Sequence, residues 1–344
     1  MQRLQIKTFQ WRYSLLLMPI VLWLPTGNTQ AATTFDCTAS VSDVNLGNIT
    51  PANADNANLN SIQVNWSCTN TGTDSGYVSI CLGVDGGLSD PLLIIPRYMS
   101  TESSNVSSLA FTMTRANSGT VLGRRTISPD LEFTTFSYVV PGTPKSGFFR
   151  MNVTLLPGYS NKLATQGLYT ADFTGANTAI TYSQTENGDP NTKCKSGTEG
   201  TRRFPFKVKA TVIDSCEITA KPSDIDLGTV SASVIDTTGS TSIGITCTND
   251  AHYNIGLAAI SSNKIDGSGV MSGTSGNSDL VPYQLRSADG TAWGNNGSTY
   301  STLTNGVLGQ GNGAVQSHTV HVIAPSADFK PDHYSDIVTI SVNY

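Results

Sequence analysis

Cys37 and Cys68 lie 31 positions apart, and so do Cys216 and Cys247. Superimposing the first cysteine of each pair brings out an internal repeat. Asp43-Val44-Asn45-Leu46-Gly47-Asn48-Ile49 falls on Asp224-Ile225-Asp226-Leu227-Gly228-Thr229-Val230, a single D-[VI]-x-L-G-x-[IV] pattern. Ile62, Val64, Trp66 and Cys68 alternate with Gln63, Asn65 and Ser67, and Ile243, Ile245 and Cys247 alternate with Gly244 and Thr246, each run ending in Cys-Thr-Asn. Alternation of period two marks half-buried strands. Each cysteine pair is therefore expected to staple the first strand of its copy to the second, worth roughly 3 to 4 kcal/mol by loop closure. Cys81 and Cys194 are left to pair with each other.

The correspondence continues. Met99-Ser100, 109–113 and Val121-Leu122-Gly123 answer to Met271-Ser272, 280–285 and Ala292-Trp293-Gly294; 150–156 answers to 318–323; Tyr169-Thr170-Ala171-Asp172 leading to Tyr182 answers to Tyr334-Ser335-Asp336 leading to Tyr344. With 32 Gly and 15 Pro in 344 residues and no sustained apolar repeat of period 3.6 in the mature region, the chain reads as all-β, two immunoglobulin-like β-sandwiches in tandem. Only 13% of residues are charged and the net charge is -5, which disfavours a nucleic-acid-binding surface.

Arg3, Lys7 and Arg12 precede an apolar run over 15–24 that is too short for a membrane span and reads as a secretory signal, with cleavage after Ala31. The mature chain is expected to be exported. In that oxidising setting six cysteines without a C-x-x-C pair read as disulfides rather than zinc ligands.

The paired cysteines, the Leu-Gly turn, Pro282-Tyr283-Gln284-Leu285 and the closing Tyr334-Ser335-Asp336-Ile337-Val338-Thr339 run resemble the spore coat protein U domain, over the whole mature chain and twice. Domains of this kind resemble the subunits of archaic, Csu-type chaperone-usher pili. The resemblance implies a pilin that lacks its last strand and is completed by a segment of a neighbour. It also implies a periplasmic chaperone, an outer-membrane usher, and a place on the cell surface in a fimbrium.

The two copies end differently. Past Tyr182, copy one continues through a polar connection to Phe204, Phe206, Val208, Ala210 and Val212, which alternate with Pro205, Lys207, Lys209 and Thr211 just ahead of Cys216. Copy two ends at Tyr344, and only about five mature residues precede Cys37, too few to span a sandwich at ~3.3 Å per residue. Three parts follow: a signal peptide over 1–31; a tip or adhesin domain over 32–213, closed in cis by 204–212; and a pilin domain over 214–344 that awaits a donor strand. Such a subunit can receive a strand and has none to give, which places it at the end of a fibre.

Catalytic signals are poor. His318 and His321 sit at i and i+3 of an expected strand, so their rings face opposite sides, and His252 and His333 lie apart from them in sequence. Gly309, Gly311 and Gly313 form a loop without a following helix. The acidic stretch 85–90 and the Asn-rich 53–56 lack the spacing of a calcium loop. No metal, cofactor or enzymatic activity is expected. Strand directions place the loop Pro141-Gly142-Thr143-Pro144-Lys145-Ser146-Gly147 at the pole away from the second domain. Its flanks Val139, Val140, Phe148 and Phe149 are candidate contacts to an abiotic or host surface, supporting attachment and biofilm formation. Leu92, Leu93, Ile94 and Ile95 form a second apolar candidate. A secreted coat or shaft protein and a glycan-binding sandwich are the alternative readings.

Overall fold

The structure, a computed structural model, describes residues 34–101, 107–124, 133–185, 194 and 200–344; the signal sequence lies outside them. Among the described residues, twenty strands make up nearly all of the regular structure. The first twelve are β1 (Phe35–Ser40), β2 (Val44–Ile49), β3 (Asn58–Asn70), β4 (Gly76–Gly83), β5 (Arg97–Ser100), β6 (Ser108–Arg115), β7 (Phe133–Val139), β8 (Pro144–Leu155), β9 (Gly167–Asp172), β10 (Ala179–Thr185), β11 (Gly200–Arg203) and β12 (Lys207–Val212). They form an eight-stranded sheet, β1-β3-β8-β6-β5-β9-β12-β2, facing a four-stranded one, β11-β10-β4-β7. The remaining eight are β13 (Cys216–Ala220), β14 (Ile235–Cys247), β15 (His252–Ala259), β16 (Ser268–Ser272), β17 (Leu280–Arg286), β18 (Val307–Gln310), β19 (Val315–Ser326) and β20 (Val338–Asn343). Their sheets are β13-β14-β19-β17-β16 and β18-β15-β20.

Two apolar cores result, one drawn from residues between Cys37 and Val212, the other from residues between Cys216 and Val342. The alternation seen in the sequence is the pleat. On β3, Val64, Trp66 and Cys68 point inward and are buried, as Ile243, Ile245 and Cys247 are on β14. Near the connection at 213–215 the two halves also touch: Asn249 Nδ2 donates to the Leu163 carbonyl at 2.8 Å, beside a bridge between Thr165 and Asn249.

Cys37 faces Cys68 directly across β1 and β3, and Cys216 faces Cys247 across β13 and β14; both pairs are bonded, as are Cys81 and Cys194. In copy one the staple joins the first strand to the third, because the D-V-x-L-G segment between them is itself the strand β2.

Candidate functional site: an open groove and an apolar end

The D-[VI]-x-L-G-x-[IV] repeat has the same local chemistry in both copies and a different fate. Gly47 and Gly228 adopt φ values of +78° and +74°, a left-handed conformation that glycine takes at no steric cost. The residue two before each, Asn45 or Asp226, accepts the glycine N–H at 2.9 and 2.8 Å. In copy one the segment is β2, hydrogen-bonded in parallel to β12, with Val44 and Ile49 each 1% exposed. In copy two, residues 221–231 form no strand, and Val230, the counterpart of Ile49, is 43% exposed.

The missing element is the counterpart of β12. In copy one β12 lies between β2 and β9, antiparallel to β9, while β9 bridges β5 at Ser100 and Thr170. Copy two reproduces that bridge at Ser272 and Ser335, with reciprocal backbone bonds of 3.0 Å. Among the described residues, however, no strand lies between 333–337 and 224–230. A groove of about 520 Å3 opens there instead, lined by Ile225, Leu227, Leu257, Leu285, Val322 and Ile340 among others. Tyr283 stands in it, its hydroxyl donating to Asp336 Oδ2 at 2.6 Å; burial and the neighbouring carboxylate push its ionisation well above the ordinary range.

All five alternating residues of the closing segment are in the first core: Phe204, Phe206, Val208, Ala210 and Val212 are at most 3% exposed. The strand proper starts at Lys207, and Phe206 reaches back, its carbonyl accepting the Phe173 N–H and its ring stacked on that of Phe173. The strand over 179–185 is not the partner of the closing strand: β10 pairs with β11 and β4, and the chain changes sheet between Arg203 and Lys207 before β12 joins β9. A sheet switch at Phe204-Pro205-Phe206 leaves no mark on period-two alternation.

The pleat splits the four loop-flank candidates. Val139 and Phe149 are 1% exposed, in the core, and cannot touch a surface; Val140 and Phe148 are 41% and 47% exposed. Adjacent residues of a strand point to opposite faces, so neighbouring apolar residues cannot all be presented. Arg150 sits over the Phe148 ring at 5.0 Å. Val140 continues a row that the sequence reading did not single out: Phe136 and Tyr138 are exposed on the same side of β7, and Tyr77 of β4 packs on both rings at 5.6 and 4.9 Å. The signal was there, in Phe136, Tyr138 and Val140 alternating with Ser137 and Val139.

Strand registers fix where these groups lie. Lys207 is level with Asp172, Thr170 with Ser100, Arg97 with Phe111 and Phe111 with Leu155, so β8 enters from the end opposite Val212. Gly76 pairs with Val139 at that same end, whereas Gly83, at the other end of β4, leads into 84–96. Leu92, Leu93, Ile94 and Ile95 therefore sit away from Val140, with Leu92 67% and Ile95 48% exposed and Leu93 and Ile94 half-buried. Their loop is held by buried Arg97, whose guanidinium donates to the carbonyls of Val84, Asp85, Ile94 and Leu122 at 2.9, 2.8, 2.8 and 2.5 Å. Burial, opposed by Asp85, lowers its ionisation to about 9, and it stays cationic at neutral pH. Arg97→Met is expected to cost about 3 kcal/mol or more, because four carbonyls, three of them buried, lose their donor. Arg97→Lys should rescue little of it, lacking the planar fork. Urea titration checks both.

His318 points inward on β19, its Nε2 2.8 Å from the Tyr253 hydroxyl, and burial lowers its ionisation. Among the described residues no group of three or more His, Cys, Asp or Glu could hold a metal ion, and no helix is long and apolar enough to cross a membrane.

Residues 202–341 match the Spore Coat Protein U domain family. Among solved structures the chain resembles the chaperone–tip adhesion subunit pre-assembly complex, CsuC–CsuE, from archaic chaperone-usher Csu pili of Acinetobacter baumannii. The identity is 14%, over 90% of this chain and 100% of that one, with a TM-score of 0.51. It also matches the CupB6 tip adhesin from Pseudomonas aeruginosa at 10% identity over 90% and 95% of the two chains, with a TM-score of 0.33. The first likeness is one of fold. A search of curated protein sequences gives no match.

Proposed function

We propose that the chain is the tip adhesin of a chaperone-usher pilus, its first half the surface-binding domain, closed in cis, and its second half a pilin domain that accepts a strand from the next subunit. One observation carries this: the place occupied by β12 in copy one is an open apolar groove in copy two. The family match supports it further, because it begins at residue 202, ahead of β12. In that frame β12 is the leading segment of the second domain, and it completes the first. On this reading the same kind of strand exchange joins the chain to the fibre. An apolar groove of this size on an exported protein calls for a cover during transit, the task of a periplasmic chaperone, before an outer-membrane usher delivers the subunit. The end of the first domain opposite the connection to the second then faces outward, with Val140, Tyr138 and Phe136 on one side and Phe148 on the other, at the cell-surface tip of the fimbrium.

A peptide with the sequence of residues 202–213 tests the reading. Added to the full chain, it is expected to protect the backbone amides of 224–230 and 334–337 from hydrogen exchange and to leave those of β2 and β9 unchanged. At a thousandfold excess over its dissociation constant it should stabilise the second half by about 4 kcal/mol. Exchange at 224–230 unaffected by saturating peptide would sink the proposal.

A further inference from the structure

The occupied groove of copy one is fastened by charge as well as by apolar contact. Asp43 Oδ1 accepts the backbone N–H of Lys207 at 2.9 Å, and Asp43 Oδ2 accepts Lys209 Nζ at 2.7 Å. Lys207 Nζ lies 3.7 Å from Asp172 on the other neighbouring strand. One carboxylate therefore reads two features of the incoming strand, where its ladder begins and whether a lysine stands two residues on. The Lys209 ammonium, and next the Lys207 N–H, hold the Asp43 carboxyl below the usual carboxylate range.

Copy two keeps the reader and lacks what it reads. Asp224 is the counterpart of Asp43 in the repeat; it is exposed, lines the open groove and has no ion-pair partner among the described residues. At the next outward-facing position Asp226 replaces Asn45, and Asp336 lies in the groove beside Tyr283. None of the groove's lining residues is basic. A strand seated as β12 is would place its first ladder N–H and the side chain two residues later against Asp224, while its alternate residues fill the space above Ile225, Leu227 and Val230.

Resting on the pilin reading of the second half, we infer that the strand it accepts is a basic one, an extended segment of another subunit in which apolar residues alternate and a lysine or arginine stands at the position of Lys209, paired with Asp224. The lysine fixes register. A slip of one residue would turn the apolar set outward; a slip of two would move Lys209 off its carboxylate, and where it brought Lys207 there instead it would set Pro205, which has no N–H, at the first ladder position.

The test uses the full chain and the 202–213 peptide, native and with Lys209→Gln, each measured on the native chain and on Asp224→Asn by calorimetry. Lys209→Gln should weaken binding roughly three- to tenfold on the native chain and leave it unchanged on Asp224→Asn, the range expected for a charge-assisted bond at an exposed site. A peptide carrying Lys209→Glu should recover its affinity on Asp224→Lys. If Lys209→Gln weakens binding equally on both chains, or on neither, the charge reading is overturned while the open-groove reading stands. If the native peptide binds neither chain, both fail together. Sedimentation of the chain alone gives one more outcome: a dimer whose 224–230 amides are protected would make a second copy the occupant and overturn the inference.

Discussion

Val44→Asp should unfold the first half of the chain, while Ile225→Asp should only weaken the second. The two residues hold the same place in the repeat, and in both copies the backbone around them turns at the same left-handed glycine. Val44 is buried beside β12 in the same sheet, and a carboxylate there would lose its water without gaining a partner. Such burial costs several kcal/mol, and ~4 kcal/mol is a large part of the 5–15 kcal/mol that holds a domain folded. Ile225 packs at the edge of the second core but lines an open groove where water still reaches the side chain, so the same change should cost only about 1–2 kcal/mol. Its larger effect should appear when a strand is offered. Peptide binding should then fall by about a hundredfold, since a buried Ile contributes ~1.5–3 kcal/mol and the new carboxylate opposes burial. Each half carries one buried tryptophan, Trp66 or Trp293, so fluorescence in urea can follow the halves separately once the other tryptophan is replaced by Phe. Comparable losses in the two halves would mean that the second is as closed as the first.

What the sequence reveals here is whatever is local along the chain. The cysteine spacing, the Leu-Gly turn and the alternation of Phe204, Phe206, Val208, Ala210 and Val212 each involve a few consecutive residues, and each has its place in the fold. Long-range pairing is another matter. That Phe204-Pro205-Phe206 carries the chain from one sheet to the other depends on β9 and β2 being free to receive it, residues 35 and more than 150 positions away. That 224–230 is not a strand cannot be read from 224–230, whose pattern matches β2; it follows from the absence of a partner. The same limit explains the mixed result at 139–149. Four apolar residues flank a loop, and only the register of β7 on β4 and of β8 on β3 decides that Val139 and Phe149 go inward while Val140 and Phe148 do not.

That division gives the proposed tip its sharpest test. Replacing Tyr138 and Val140 together with Ser should leave the protein folded and pili assembled, and should lower attachment to a hydrophobic surface such as polystyrene at least tenfold. Replacing Val139 with Asp, one residue between them, should instead prevent folding and export. Tyr138 and Val140 are about half exposed, next to Phe136 and the Tyr77 ring, so their removal takes apolar area from the surface and none from the core. At ~25 cal/mol per Å2 such a group contributes a few kcal/mol per tip, and many tips on one cell multiply that contribution. Phe148→Ser should matter less, because its ring lies on the outer face of the other sheet with Arg150 across it, apart from the β7 row. Attachment is counted per cell and normalised to pilus number, which separates a failed contact from a failed assembly. Full adhesion by normally piliated Tyr138→Ser, Val140→Ser cells would move the contact off this row. Leu92 and Ile95 would then be tested next, although the strand registers set them beyond the other end of β4, where a surface met end-on by the tip would not reach them first.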